Sequence, residues 1–235
     1  MIMGTRIGVL LSGCGVYDGS EIQEAVLSLL EISRHGGTAV CMAPNAPQHH
    51  VVDHVTGEAT SETRNTMVEA ARIARGVIRD VASVSVDEID ALVMPGGFGV
   101  AKNLTSWAFD GPSGTIRDDV RSIILGMARA KKPLVGLCMA PTTIAKALEG
   151  SDIEAHLTVG TDQAPSPYEI AEIAQGMESV GARSHMNTIE EITVDVSNRI
   201  ITAPCYMMEV SISEVHNNVR EAIDALFMML NEDHV

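Results

Sequence analysis

Leu134-Val135-Gly136-Leu137-Cys138-Met139-Ala140-Pro141-Thr142 sets a short apolar run directly against a helical pattern, with one cysteine at the join. A buried strand followed by an abrupt turn and a helix start presents a nucleophile on a constrained backbone. Gly136 leaves room for close backbone approach, and Ala140 keeps the turn narrow. A thiol at a helix N-terminus feels the positive end of the helix dipole, which favours thiolate. The competing reading is a structural cysteine that fills core space, since free cysteine is among the most buried residue types.

Outward from this segment, short apolar runs alternate with amphipathic stretches, the pattern of an α/β protein with a mostly parallel sheet. Residues 6–12, 38–42 and 90–94 read as buried strands, the last running into Pro95-Gly96-Gly97-Phe98-Gly99. A helix is expected over 20–35, with Ser20 as N-cap, Glu21 and Glu24 complementing the dipole, and Gly36-Gly37 as its stop. Ile22, Ala25, Val26, Leu29, Leu30 and Ile32 are expected to form its buried face. Further helices are expected over 65–75, 115–130 and 214–230, and a strand over 155–159. Residues 44–54 read as irregular, and 191–196 with 199–203 as a hairpin around Ser197-Asn198. There is no internal repeat or long linker, so residues 1–235 are expected to form a single domain.

Composition narrows the partners. Aromatic residues are only 3% of the chain, which argues against stacking platforms for single-stranded nucleic acid. A net charge of −15 repels phosphate backbones and anionic membranes, so no nucleic-acid or membrane partner is expected. No apolar stretch approaches the length of a bilayer span. Met1-Ile2-Met3-Gly4-Thr5-Arg6 leads straight into the first strand without the pattern of a signal peptide. Cys14, Cys41, Cys138 and Cys205 are scattered, with neither disulfide framework nor zinc spacing, which suggests a reducing, cytoplasmic setting.

In an open parallel sheet, ligands bind beyond the carboxyl ends of the strands. Three segments should converge there: Ser12 to Glu21, the glycine loop and the Cys138 turn. The first lacks GxGxxG spacing, and no acidic residue closes a clear second strand, so a nucleotide site is disfavoured. Cys14 and Gly15 lie in that loop and should face the site. Glu24, one turn into the following helix, is placed to share a proton with the thiol as a general acid/base. The alternative is that Glu21 and Glu24 are solvated residues complementing the dipole. The Gly97 and Met139 amides can together form an oxyanion hole.

Of the chain's 8 histidines, His49, His50 and His54 cluster with Asp53, but a polar loop would look the same. His156, His185, His216 and His234 show no ligand spacing, and His156 alone is placed for a Cys–His pair. Surface or structural roles are expected for them, with no metal and no cofactor. Residues 56–60 and 62–65 read as turn and capping chemistry, with Arg64 paired to an acid. Cys41 and Cys205 read as structural.

With Cys138 in the turn, Gly96-Gly97 in the loop and Glu24 in the first helix, the chain resembles the ThiJ/PfpI superfamily of class I glutamine-amidotransferase-like folds. More closely, residues 7–21 (Ile-Gly-Val-Leu-Leu-Ser-Gly-Cys-Gly-Val-Tyr-Asp-Gly-Ser-Glu) look like the opening of the ElbB-type isoprenoid-biosynthesis glyoxalases. So do Thr56-Gly57-Glu58, Glu62-Thr63-Arg64-Asn65, Met94-Pro95-Gly96-Gly97-Phe98-Gly99 with Ala101-Lys102-Asn103-Leu104, and Leu157-Thr158-Val159-Gly160-Thr161-Asp162. The resemblance spans essentially the whole chain.

It implies a flavodoxin-like three-layer sandwich and cofactor-free conversion of small 2-oxoaldehydes, glyoxal or methylglyoxal, to 2-hydroxy acids. Cys138 would form the hemithioacetal, Glu24 would shuttle the proton, and the Gly97 and Met139 amides would hold the oxyanion. Cys14, Gly15, Gly96, Asn103 and Thr161 would line the pocket, and the chain would pair as a homodimer. One departure bears on mechanism. Hydrolytic members place a histidine after the nucleophile, where this chain has Val159-Gly160-Thr161-Asp162. Two other readings stay open: a redox-sensing or regulatory module using the same cysteine, and an amidotransferase-like hydrolase.

Overall fold

The apolar runs pair side by side as strands, and the amphipathic stretches between them flank the resulting sheet. The structure, a computed structural model, describes residues 4–232. Met1, Ile2 and Met3 of the opening segment, and His234, lie outside the described residues. In chain order the elements are β1 (Arg6–Leu10), α1 (Ile22–Arg34), β2 (Thr38–Ala43), α2 (Thr66–Ile73), β3 (Arg79–Asp80), β4 (Ala91–Met94), α3 (Trp107–Asp110) and α4 (Asp118–Arg129). There follow β5 (Leu134–Leu137), α5 (Ala140–Leu148), β6 (His156–Leu157), α6 (Ile170–Ser179), β7 (Arg183–Ser184), β8 (Thr193–Asp195), β9 (Ile200–Ala203) and α7 (Ile212–Glu232).

The main sheet runs β3-β2-β1-β4-β5-β9-β8. Its neighbours are parallel except for β8 against β9. The chain winds outward from β1 to β3, then returns to lay β4 on the other side of β1. That reversal opens a crevice at the strand ends, which places the loops after β1, β4 and β5 together. This is the expected flavodoxin-like sandwich. The central strands are covered on both faces: β4 and β5 are buried throughout, as their unbroken Val/Leu-rich runs require. Ile7, Leu10, Leu92, Met94 and Leu134 are completely enclosed. Each such side chain contributes about 1.5–3 kcal/mol relative to exposure.

Local chemistry corrects several expectations. The N-cap of α1 is Glu21, whose carboxylate accepts the Glu24 N–H at 2.7 Å. Ser20 turns inward, where its hydroxyl accepts the Ser12 N–H at 2.8 Å. The buried face of α1 is also different: Glu24, Ala25, Ser28, Glu31 and Ile32 point in, while Ile22, Val26 and Leu30 are exposed. The helix after Thr115 starts only at Asp118, because Ile116 bridges to Thr105 as extended chain. The strand expected over 155–159 shrinks to β6, which pairs with β7 in a separate two-stranded sheet.

Elsewhere the expectations hold. Asn65 caps α2 through the N–H groups of Met67 and Val68. Arg64 pairs with Glu62 at 2.7 Å and Glu69 at 3.4 Å. The hairpin joins β8 to β9.

Candidate active site

Cys138 follows β5 directly and adopts φ 56°, the left-handed region that costs a non-glycine residue energy. Its N–H donates to the Ala203 carbonyl at 2.9 Å, so the neighbouring strand holds the turn in place. Pro141 opens the first turn of α5, where a missing N–H costs nothing. The side chain is 5% exposed. It faces the loop after β4, and glycine is required there: a Cβ on Gly96 would lie 2.5 Å from Cys138 Cβ and 2.9 Å from Glu24 Oε2. Gly97 adopts φ 92° against the backbone of Glu21, 2.3 Å from where its Cβ would be.

Glu24 is fully buried. Its Oε2 accepts the Gly96 N–H at 2.9 Å and its Oε1 the Tyr206 N–H at 3.2 Å. Cys138 Sγ and Glu24 Oε2 flank Gly96 together. Burial, aided by the nearby Glu21 carboxylate, pushes the Glu24 carboxyl up to about 8, although the thiol beside it favours the ionised form. At neutral pH Glu24 holds its proton.

Burial, with the Glu24 charge behind it, likewise pushes the Cys138 thiol well above the usual thiol range. The Gly97 and Met139 N–H groups favour the thiolate and oppose that rise without cancelling it. The expectation of a resting thiolate at the helix N-terminus is therefore corrected. Removal from water outweighs the dipole, and the Cys138 thiol rests protonated beside Glu24.

The cavity beside the sulfur is walled by Phe98, Tyr168, Tyr206 and Met207, with Val16 and Glu21 completing it. Its free volume is ≈ 10 Å³, room for about one water. Phe98 and Tyr168 meet edge to face, with ring centroids 5.9 Å apart. The Lys102 ammonium lies 5.1 Å from the Phe98 ring centre. The Tyr206 hydroxyl donates to Gln23 Oε1. Burial and the surrounding acids raise the Tyr168 phenol, which keeps it a proton donor.

The structure thus brings Cys138, Glu24, Gly96, Gly97 and Met139 together. Cys14, Gly15, Asn103 and Thr161 do not line the cavity, nor does Gly96, which packs against Cys138 and Glu24 instead, and that expectation is corrected. The glycine turn of the first loop carries Cys14 toward Glu69 and Arg72, and Gly15 against His54, so Val16 forms the wall instead. The Asn103 amide is consumed in bracing that loop, donating to the Ser12 and Asp18 carbonyls at 2.8 Å and accepting the His49 N–H at 2.9 Å. Thr161 Oγ1 accepts the Gln163 N–H within its own turn.

Among the described residues no group of three or more His, Cys, Asp or Glu is arranged to hold a metal. His49 and His50 pack instead on Phe109. His156 pairs with His185 at 3.0 Å, outside the cavity wall.

Glu21, Tyr168, Tyr206 and Met207 escaped the sequence reading. A helix-capping glutamate is usually solvated, and the others sit on irregular segments. One signal was available: in a chain with 3% aromatic residues, three aromatic rings converge on one cavity.

Fold and thiol-bearing elbow together define a class I glutamine amidotransferase-like protein. No family model matches the chain. A rat mitochondrial ES1 protein homolog is 39% identical over 91% of this chain and 80% of its own length. The human mitochondrial glutamine amidotransferase-like class 1 domain-containing protein 3 is 39% identical over 91% of this chain and 79% of its own. The chain belongs to this ES1 family of glutamine amidotransferase-like class 1 proteins.

Among solved structures, an isoprenoid biosynthesis protein with an amidotransferase-like domain from Ehrlichia chaffeensis superposes with TM-score 0.87 at 34% identity, covering 97% of this chain and 100% of that one. A Candida albicans glyoxalase III shares the fold alone, at TM-score 0.58 and 12% identity over 94% of this chain and 97% of that one. The sequence relatives are ES1 proteins and not the ElbB type that the motifs suggested.

The relatives' mitochondrial names also overturn the cytoplasmic expectation. Scattered free thiols mark a reducing compartment without saying which one. Among the described residues no helix is long and apolar enough to cross a membrane.

Proposed function

We propose that this chain, as one domain over residues 1–235, is a cofactor-independent glyoxalase that converts glyoxal or methylglyoxal to the corresponding 2-hydroxy acid. One observation carries this reading: a buried carboxyl, protonated at neutral pH, beside a cysteine on a strained elbow. The pair must lose one proton to become reactive. The sulfur then attacks the aldehyde carbon while the remaining proton sits on Glu24. As the S–C bond forms, charge moves to the carbonyl oxygen, where the Gly97 and Met139 amides support it.

Glu24 protonates that oxygen, removes the carbon-bound proton from the attacked carbon and returns it to the adjacent carbon, while the hydroxyl proton of the first carbon passes to the oxygen of the second. The first carbon is oxidised to a thioester and the second reduced to an alcohol, so no external redox partner is needed. The cavity selects small substrates, and admitting even glyoxal requires its aromatic wall to shift.

The name of the Ehrlichia structure, at 34% identity, supports a link to isoprenoid biosynthesis. A redox sensor is less well supported, because sensing thiols are low in pKa and this one is raised. An amidotransferase-like hydrolase is less well supported because no histidine lines the cavity.

The test is glycolate formation from glyoxal by the purified protein. Cys138→Ser should abolish it, and Glu24→Ala should lower kcat by about 10²-fold or more. Absence of turnover in the parent protein would reject the reading.

A further inference from the structure

Hydrolysis of the Cys138 thioester needs a base to activate water, and the wider superfamily's histidine is missing from this cavity. Burial holds a proton on Glu24 at neutral pH, so its resting carboxyl is not a base for that step. Tyr168 is held protonated, and the Tyr206 hydroxyl is committed to Gln23.

Glu21 remains. It shares the cavity wall with Cys138. Its N–H donates to the Gly96 carbonyl at 2.9 Å, and its carboxylate is anchored by the Glu24 N–H at 2.7 Å. The first contact ties it to the loop that carries Gly97, and the second to the first turn of α1.

We propose that Glu21 is a second catalytic carboxylate, the general base for the water that hydrolyses the Cys138 thioester. The inference rests on the glyoxalase reading. Glu21 takes one proton from water as the water oxygen bonds to the thioester carbon. The tetrahedral oxyanion then collapses, the C–S bond breaks, and its electron pair leaves on sulfur, which recovers a proton. The 2-hydroxy acid departs as its carboxylate and releases one proton to solvent. Burial raises Glu21 above the ordinary carboxylate range, which makes it a stronger base in its ionised form.

Glu21→Gln keeps the oxygen that caps α1 while removing the base. The purified parent and variant are mixed with glyoxal, freed of excess aldehyde by gel filtration under denaturing acid, and treated with hydroxylamine, which converts a glycolyl thioester to its hydroxamate. The variant should accumulate close to one thioester per chain, while steady-state glycolate falls by about 10²-fold. Glu21→Asp, which retains a carboxylate, should fall between parent and Glu21→Gln.

Parent-like turnover in Glu21→Gln overturns this inference and leaves the glyoxalase reading intact. Slow turnover without thioester also overturns it, because Glu21 would then act before acyl formation. A parent protein that makes no glycolate overturns both.

Discussion

Gly96 sits where three constraints meet. Its N–H holds the Glu24 carboxyl, its carbonyl holds Glu21, and its missing side chain leaves the space that Cys138 Sγ and Glu24 Oε2 occupy. A methyl group there would lie 2.8 Å from the sulfur, inside any normal contact. The backbone angle at Gly96 is not the obstacle, since only Gly97 in this pair is left-handed. Gly96→Ala should therefore disturb the site more than the fold. Thermal unfolding should show a loss of about 1–3 kcal/mol, the usual cost of overpacking. Glyoxal turnover should fall by about 10²-fold or more, as misplacing reacting groups by about an ångström does. An alanine variant with parent kinetics would mean that the thiol–carboxyl contact is not needed for turnover.

At the scale of elements, α1 shows why part of the architecture is legible in the sequence and part is not. Its apolar residues, read by period, predict an inward face of Ile22, Ala25, Val26, Leu29, Leu30 and Ile32. Of these, Ala25 and Ile32 are buried, while Ile22, Val26 and Leu30 are exposed. The helix is instead turned so that Glu24 meets the strand ends. Glu31 is buried against His216 of α7 and Arg34, each at 2.7 Å. Satisfied polar contacts override hydrophobic periodicity here, and periodicity cannot report them. The strand–elbow–helix at Cys138 was legible because chain order alone creates it. The walls from Tyr168 and Tyr206 were not, because they depend on how loops from distant parts of the chain fold over β5 and β9. The rotation of α1 is testable: Val26→Lys should change unfolding free energy by no more than about 0.5 kcal/mol. Ile32→Ala, at a completely buried position, should cost about 2–5 kcal/mol. Equal losses from both, measured by denaturant unfolding, would contradict the orientation.

The molecule as a whole encloses an acid that water would rather ionise, in a chain already carrying a net charge of −15. Glu24 titrates at about 8 in the folded protein against an ordinary 4.5, chiefly through burial. Between those values the folded state keeps a proton that the unfolded chain has released. The associated stability is therefore fully present below pH 4.5 and declines as pH rises to about 8. At about 1.4 kcal/mol per pH unit, the loss amounts to roughly 4–5 kcal/mol by pH 9. Glu24→Gln removes this titration. The amide gives up one acceptor, and with it the Tyr206 N–H bond, at about 1 kcal/mol. That cost does not depend on pH, and the wider repulsion among surface carboxylates is common to both proteins. The unfolding free energy of Glu24→Gln minus that of the parent should thus rise by several kcal/mol between pH 5 and pH 9, turning positive at the alkaline end while activity is lost. Two parallel stability curves over that range, measured by urea unfolding, would mean that Glu24 ionises freely in the folded protein. The proton it is proposed to share with Cys138 would then not be held there.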